Sequence, residues 1–190
     1  MRIIAGAFKG RRLKTPDFDG VRPTSDKLRE TLFNILAPRI AGARCLDVFA
    51  GTGAVGIEAL SRGAAQVTFV EHDRRAAALI AANLTMCGVE RGYTIECGDA
   101  AAVLRRLPES DPFDLVLLDP PYDADPEMLA DTLSEAARLT PSGGLSGGLS
   151  GGLIVLERAR RREPVVPDGL DRIRDVVAGD SALTFLRRSA

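Results

Sequence analysis

The sequence is poor in residues that hold metals. It has three cysteines, Cys45, Cys87 and Cys97, and one histidine, His72, in 190 residues. No two cysteines form a CxxC pair, so a zinc site of the usual Cys/His kind lacks ligands and no metal is expected. Buried, reduced thiols are the expectation for all three. Long apolar runs are also missing. The longest are strand-sized, which excludes a membrane-spanning helix. The apolar start, Met1 to Phe8, turns basic at Lys9 and is too short for a signal peptide, so the cytoplasm is the default compartment. Charge of one sign is missing too: 25 Lys and Arg face 26 Asp and Glu, a net charge of −1. Taken alone, that argues weakly against a nucleic-acid partner.

The charge is unevenly spread. Residues 1–44 hold 10 Lys and Arg against 4 Asp and Glu, and the rest of the chain holds 15 against 22. The first 14 residues carry Arg2, Lys9, Arg11, Arg12 and Lys14 with no acid. A basic arm on an acidic body is one footprint of phosphate binding; a solvated terminal segment reads equally well from charge alone. Apolar content of 45% and charged content of 27% suit an ordinary globular protein, and the length fits one domain.

Residues 1–21 read as extended, punctuated by Gly6, Gly10 and Pro16. Thr24 or Ser25 can cap a helix to about Ala37, with Leu28, Leu32, Ile35 and Leu36 as its apolar stripe and Pro38 as its stop. From Arg44 strands and helices alternate. Strands are predicted at 45–49, 66–70, 93–97, 113–118 and 153–156, with helices at 54–62, 74–86, 100–107 and 126–139 between them. Two further strands, about 172–177 and 183–187, flank Gly179-Asp180 as an antiparallel hairpin. Successive β–α units imply a parallel sheet with helices on both faces, which binds ligands at the carboxyl ends of its strands. Ser-Gly-Gly-Leu occurs three times over residues 142–153 and precedes a strand, so this loop is expected away from the site and without a functional role.

Three segments that follow strands carry chemistry. The first is Asp47-Val48-Phe49-Ala50-Gly51-Thr52-Gly53-Ala54-Val55-Gly56, a G-x-G-x-x-G loop, and Glu71 lies 20 residues after Gly51. A carboxylate there can accept from both ribose hydroxyls, which reads as an adenosine-containing cofactor, NAD or S-adenosylmethionine (SAM) alike. Asp47 favours SAM, whose methionyl ammonium it can receive; NAD has no cation there. The second segment is Gly98-Asp99-Ala100. Asp99 can accept from the adenine amine, cap the next helix, or do both.

The third segment is Asp119-Pro120-Pro121-Tyr122. Two prolines stiffen the turn and leave carbonyls free to accept. Tyr122 offers a face on which a base can stack. Asp119 and the Pro120 carbonyl can accept both N–H groups of an exocyclic amine, whose lone pair is otherwise delocalised into the base ring. Two acceptors aim that lone pair at a methyl group.

This order of motifs resembles the class I SAM-dependent methyltransferases that act on amino groups. The flanks narrow the resemblance. Arg2 to Gly6, Lys9 to Leu13, Arg22-Pro23-Thr24 and Arg29 to Asn34, with Leu46 to Ala64 and Leu115 to Tyr122, look like the RsmD family, bacterial 16S ribosomal RNA guanine-N2 methyltransferases. The resemblance implies a Rossmann-like α/β fold with a seven-stranded, mostly parallel sheet whose last strand is antiparallel. It implies a basic extension over residues 1–43 and a methyltransferase domain over 44–190. It gives SAM-binding roles to Asp47, Phe49, Gly51, Thr52, Gly53, Glu71, His72, Asp99 and Ala100, though His72 reads equally as a surface histidine. Asp119, Pro120, Pro121 and Tyr122 take the target base. Arg2, Lys9, Arg11, Arg12, Lys14, Arg22 and Thr24 are the expected RNA contacts. The implied partner is 16S rRNA within the assembled small subunit, with no membrane partner and a monomer as the default.

Rival readings differ in what they leave unexplained. An adenine-N6 methyltransferase uses the same Asp-Pro-Pro-Tyr logic, but the chain has no room for the target-recognition region that such DNA enzymes carry. A protein-glutamine methyltransferase is expected to carry Asn at position 119. An NAD-dependent oxidoreductase fits the glycine loop and leaves residues 119–122 without a role. A non-catalytic RNA-binding module would use the basic arm alone.

Overall fold

The computed structural model describes residues 1–16, 26–142 and 151–189. Among these residues twelve elements follow in the order expected from the sequence: α1 (Asp26–Ile40), β1 (Arg44–Val48), α2 (Ala54–Ser61), β2 (Gln66–Glu71), α3 (Arg74–Met86), β3 (Tyr93–Cys97), α4 (Ala100–Arg106), β4 (Leu115–Leu118), α5 (Pro126–Arg138), β5 (Leu153–Ala159), β6 (Leu170–Ala178) and β7 (Ser181–Arg188). The strands form one sheet in the order β3-β2-β1-β4-β5-β7-β6. β7 runs antiparallel to both its neighbours, while β1 to β5 are parallel. This is the Rossmann-like architecture expected of the chain.

Alternation along the strands divides the core. Cys45, Phe69, Leu115, Leu117 and Val155 face one layer, with Leu32, Phe33 and Leu36 of α1, Ile57 of α2 and Ile80 of α3. Leu46, Val48, Val116 and Leu118 face the other, with Val103 and Leu104 of α4 and Leu133 and Ala136 of α5. The four central strands are apolar on both faces, as a sheet covered by helices on each side requires. Ile3 and Leu13 join the first layer, so the N-terminal residues share the core of the sheet.

Several boundaries differ from the sequence reading. Helix α1 runs through Pro38 to Ile40. Pro38 withholds one backbone donor, but its φ is compatible with the last helical turn, and burial of Ile40 offsets the loss. Its buried stripe includes Arg29 and Phe33, while Ile35 is half-buried. Residues 113 and 114 precede β4 rather than belonging to it, and β5, β6 and β7 are longer than read. Cys97 is exposed at the end of β3, whereas Cys45 and Cys87 are buried. The proposed caps Thr24 and Ser25 lie outside the described residues, as does most of the Ser-Gly-Gly-Leu repeat. Gly152, in the last copy, donates its N–H to the carbonyl of Pro141, which precedes the first copy, just before β5 and at the amino ends of the parallel strands.

Residues 1–13 are not a loose extended arm. Arg2 and Arg12 form an antiparallel bridge, and the Ile3 and Gly10 amides donate to the Arg11 and Ile3 carbonyls at 3.0 and 2.9 Å. The resulting hairpin docks on α2. Glu58, fully buried, accepts from the amides of Ile4 (2.7 Å) and Ala5 (3.0 Å) and from Arg62 Nε (2.7 Å). Gly6 allows the contact: a Cβ there would lie 1.8 Å from the Ser61 carbonyl oxygen.

Candidate active site

Four strand ends build the site. β1, β2, β3 and β4 are neighbours in the sheet and parallel, so their carboxyl ends emerge side by side. Backbone bonds continue the pairing just past the strands. The Ala50 N–H donates to Val70, Gly98 to Glu71, and Asp119 to Val48, at 3.1, 3.0 and 3.3 Å. The three segments singled out in the sequence therefore leave the sheet on one edge.

The loop after β1 turns abruptly. Phe49 adopts φ of 62°, the one non-glycine with positive φ among the described residues. That conformation costs an ordinary side chain about 1–2 kcal/mol. Strain of this kind persists where the surroundings over-determine it, and it clusters at functional sites. Gly51 and Gly53 follow with φ of 54° and 76°. Gly56 serves packing instead: a Cβ there would lie 2.3 Å from the Phe69 ring, so α2 approaches β2 only with glycine.

Carboxylates surround this loop. Asp47, on β1 and buried, accepts from the Gly56 N–H at 2.8 Å and so satisfies an amide in the first turn of α2, where Gly53 at the N-cap has no side chain to offer. Burial pushes the Asp47 carboxyl well above the usual carboxylate range; the Gly56 bond opposes this, and the charges of Asp119 and Glu71 add to it. Glu71, also buried, accepts from Gly51 N (2.8 Å) and Asp73 N (2.9 Å). His72 is exposed, with Nδ1 3.1 Å from Glu71 Oε1. Asp99 is exposed and caps α4, accepting from Ala102 N at 2.9 Å; Ala100 behind it is buried.

Asp119 and Tyr122 are half-buried, Pro120 is buried and Pro121 exposed. The Tyr122 hydroxyl lies 2.6 Å from Ser181 Oγ at the start of β7. Arg162 donates to the carbonyls of Tyr122 and Ala124.

The basic residues Arg2, Lys9, Arg11, Arg12 and Lys14 are exposed on the N-terminal hairpin and the residues after it. Asn83, buried on α3, links this segment to the glycine loop. Its amide oxygen accepts from Lys14 N (2.8 Å), and its nitrogen donates to the carbonyls of Lys14 (3.2 Å) and Thr52 (2.9 Å). Thr52 itself is buried. Arg22 and Thr24 lie outside the described residues.

Sequence reasoning missed Phe49's backbone, Glu58, Asn83, Arg162 and Ser181. Glu58 and Asn83 had a signal, each being a polar side chain within a mostly apolar helical stretch. Arg162 had none, because its partners lie 38 and 40 residues away.

Known proteins resemble this chain in sequence and fold. Residues 1–187 match the family model described as "Conserved hypothetical protein 95". The "Ribosomal RNA small subunit methyltransferase D" of Escherichia coli K12 is 38% identical over 195 residues, covering 100% of this chain and 91% of that protein. The protein of the same name from Haemophilus influenzae is 36% identical over 183 residues, covering 94% and 89%. The solved structure of the "putative methyltransferase yhhF" from Escherichia coli superposes with a TM-score of 0.79 at 35% identity, covering 100% of this chain and 98% of the other. By its matched residues and its relatives, the chain belongs to the RsmD family.

Proposed function

We propose that the protein is an rRNA methyltransferase that uses SAM to methylate the exocyclic N2 amine of a guanine in 16S rRNA. One observation carries this reading: the Asp119-Pro120-Pro121-Tyr122 turn leaves β4 directly beside the glycine loop that leaves β1, joined by the Asp119–Val48 backbone bond. Its relatives named as small-subunit rRNA methyltransferases support the substrate.

The residues present fit SAM better than a dinucleotide. Asp47 is a buried carboxylate with Asp119 and Glu71 close enough to disfavour its charge further. Such a group is relieved by a cation and aggravated by an anion. The methionyl ammonium and the sulfonium are cations, whereas the pyrophosphate of NAD is an anion. Asp47 would receive the ammonium, Glu71 the ribose hydroxyls, and Asp99 the adenine amine, with Phe49, Gly51, Thr52, Gly53, His72 and Ala100 lining the cofactor. When bound, SAM supplies an electrophilic methyl group.

The chain's own work is positioning. Asp119 and the Pro120 carbonyl accept the two N–H groups of the guanine amine and aim its lone pair. Tyr122 supports the base. The amine loses its proton after transfer, so no strong base is required and rate comes from orientation. The hairpin cations and Arg22 and Thr24 hold the RNA backbone, with residues 1–43 acting as the RNA-contacting extension of the domain. A chain this small has little surface for reading a long RNA sequence, so it recognises a shaped, protein-bound subunit and draws out one base. A monomer in the cytoplasm meets these needs. The test is a calorimetric titration: SAM should bind and NAD should not. Binding of NAD with no response to SAM would overturn the reading.

A further inference from the structure

We propose that Arg162 is a positioning residue for the Asp119–Tyr122 turn, fixing its backbone from the β5–β6 connection while Ser181 fixes the tyrosine ring. The inference rests on the reading of that turn as the holder of the target base.

The turn has few backbone donors of its own. Pro120 and Pro121 have no N–H to donate. The Asp119 amide reaches Val48 at a long 3.3 Å, and the Ala124 amide closes back on Pro121 at 2.9 Å. Outside help comes from the antiparallel end of the sheet. One Arg162 nitrogen donates to the Tyr122 carbonyl, and the other donates to that of Ala124 at 2.9 Å. A planar guanidinium sets the spacing of two carbonyls at once, which a lysine ammonium does not do. The Tyr122 hydroxyl, 2.6 Å from Ser181 Oγ, fixes the other end of the residue. Tyr122 is thus held at both its backbone and its ring tip by residues distant in sequence.

Arg162 is itself placed by a second arginine. Arg158 on β5 is buried, and its Nη1 donates to the carbonyls of Ala159 (3.3 Å), Arg160 (3.1 Å) and Arg162 (3.1 Å). The chain after β5 therefore wraps around the Arg158 guanidinium. Nε of Arg158 donates to Thr184 Oγ1 at 2.8 Å, and its charge is met by Asp175 (3.1 Å) and Glu163 (3.5 Å). Arg158 orders the connection, and Arg162 carries that order across to the turn after β4. This gives β6 and β7, which lie far from the cofactor loop in the sheet, a role in the reaction.

Arg162 is exposed, so its removal should leave the fold intact and move only the turn. The test compares full-length Arg162→Ala, Arg162→Lys, Ser181→Ala and Asp119→Ala with the wild type for kcat, KM for RNA, SAM affinity and Tm. Arg162→Ala should lose kcat on the order of 10–10²-fold, the scale of a small misplacement of reacting groups. SAM affinity should stay within about twofold and Tm should hold, since the cofactor loop is untouched. Added guanidinium ion should restore part of the rate, and Arg162→Lys should stay impaired. Ser181→Ala should lose less. A raised KM for RNA with kcat unchanged would make Arg162 a phosphate contact and overturn the proposal, as would a fall in Tm with no guanidinium rescue. If Asp119→Ala is inactive while Arg162→Ala is fully active, only the role of Arg162 fails. If Asp119→Ala is fully active, the reading of the turn fails and this inference with it.

Discussion

The Gly51 amide donates to Glu71 Oε2 at 2.8 Å, so the carboxylate that ends β2 also holds the glycine loop that follows β1. Its other oxygen accepts from Asp73 N. Glu71 therefore shapes the glycine loop through the chain's own hydrogen bonds. Replacing it by alanine should weaken SAM binding by at least about 10–10²-fold, the loss of even one charge-assisted bond worth roughly 1.5–3 kcal/mol. Turnover at saturating SAM should fall much less, because the target amine is held elsewhere. Calorimetry and saturation kinetics on Glu71→Ala separate the two effects; unchanged SAM affinity would remove the ribose assignment.

Asp119 is expected to show the opposite pattern. Asp119→Ala should cut kcat by on the order of 10²–10³, the scale of one preorganised polar group, with SAM affinity nearly unchanged. Single-turnover kinetics at saturating SAM measure this directly, and near-full turnover would refute the role.

Asp47 should link SAM binding to pH. Burial holds its carboxyl well above the usual range in the free fold. A raised carboxyl favours the folded state fully below the unfolded value, about 3.9, and that contribution is lost as pH rises through the folded value. Above the unfolded value this carboxyl is therefore a growing cost to the free protein as pH rises. Asp47→Asn keeps an acceptor for Gly56 and removes that cost, so its free form should be more stable than wild type at pH 7, with the gap closing in acid. The same variant should bind SAM about 10-fold or more weakly, and its affinity should not rise with pH, as that of the wild type should. Urea titrations and calorimetry between pH 4 and pH 8 test both parts; a less stable Asp47→Asn at neutral pH would contradict the account.

Glu58 anchors the basic hairpin. Glu58→Ala leaves the Ile4 and Ala5 amides and the Arg62 guanidinium without their shared acceptor. About 2–5 kcal/mol of stability should be lost, with accompanying loss of RNA affinity as the hairpin detaches. Glu58→Gln retains one acceptor oxygen and should lose less. Urea denaturation and salt-dependent RNA binding read the two effects, and an alanine variant with wild-type stability would show that the hairpin is held by other contacts.

The sequence disclosed what depends on local pattern. Helix α3 matches its expected residues at both ends because Asp73 caps it, accepting from Arg75 N at 2.7 Å, and Gly88 follows it with positive φ. Strands β1, β2, β4 and β5 were legible because both their faces are covered, which makes them short, mostly apolar runs. The order of motifs along the chain became an order of strand ends, so the place of Asp47, Glu71, Asp99 and Asp119 followed from topology. What stayed hidden depends on distant partners. Pro38 reads as a stop until the burial of Ile40 is known, and residues 1–13 read as an arm until Glu58 is seen beneath them. Cys97 reads like the other two cysteines, yet it falls where β3 ends and the chain reaches solvent. Glu58 and Asn83 stand out in the sequence as polar residues in apolar stretches, but their partners, backbone groups up to 54 and 69 residues distant, do not.

The most direct measurement is the identity of the methylated nucleoside. Small ribosomal subunits lacking the modification are incubated with the protein and SAM labelled in its methyl group, and the rRNA is digested to nucleosides and separated. The account predicts label in N2-methylguanosine from 16S rRNA, and far less from naked rRNA than from subunits. Label in N6-methyladenosine, or no transfer from SAM to either substrate, would contradict it.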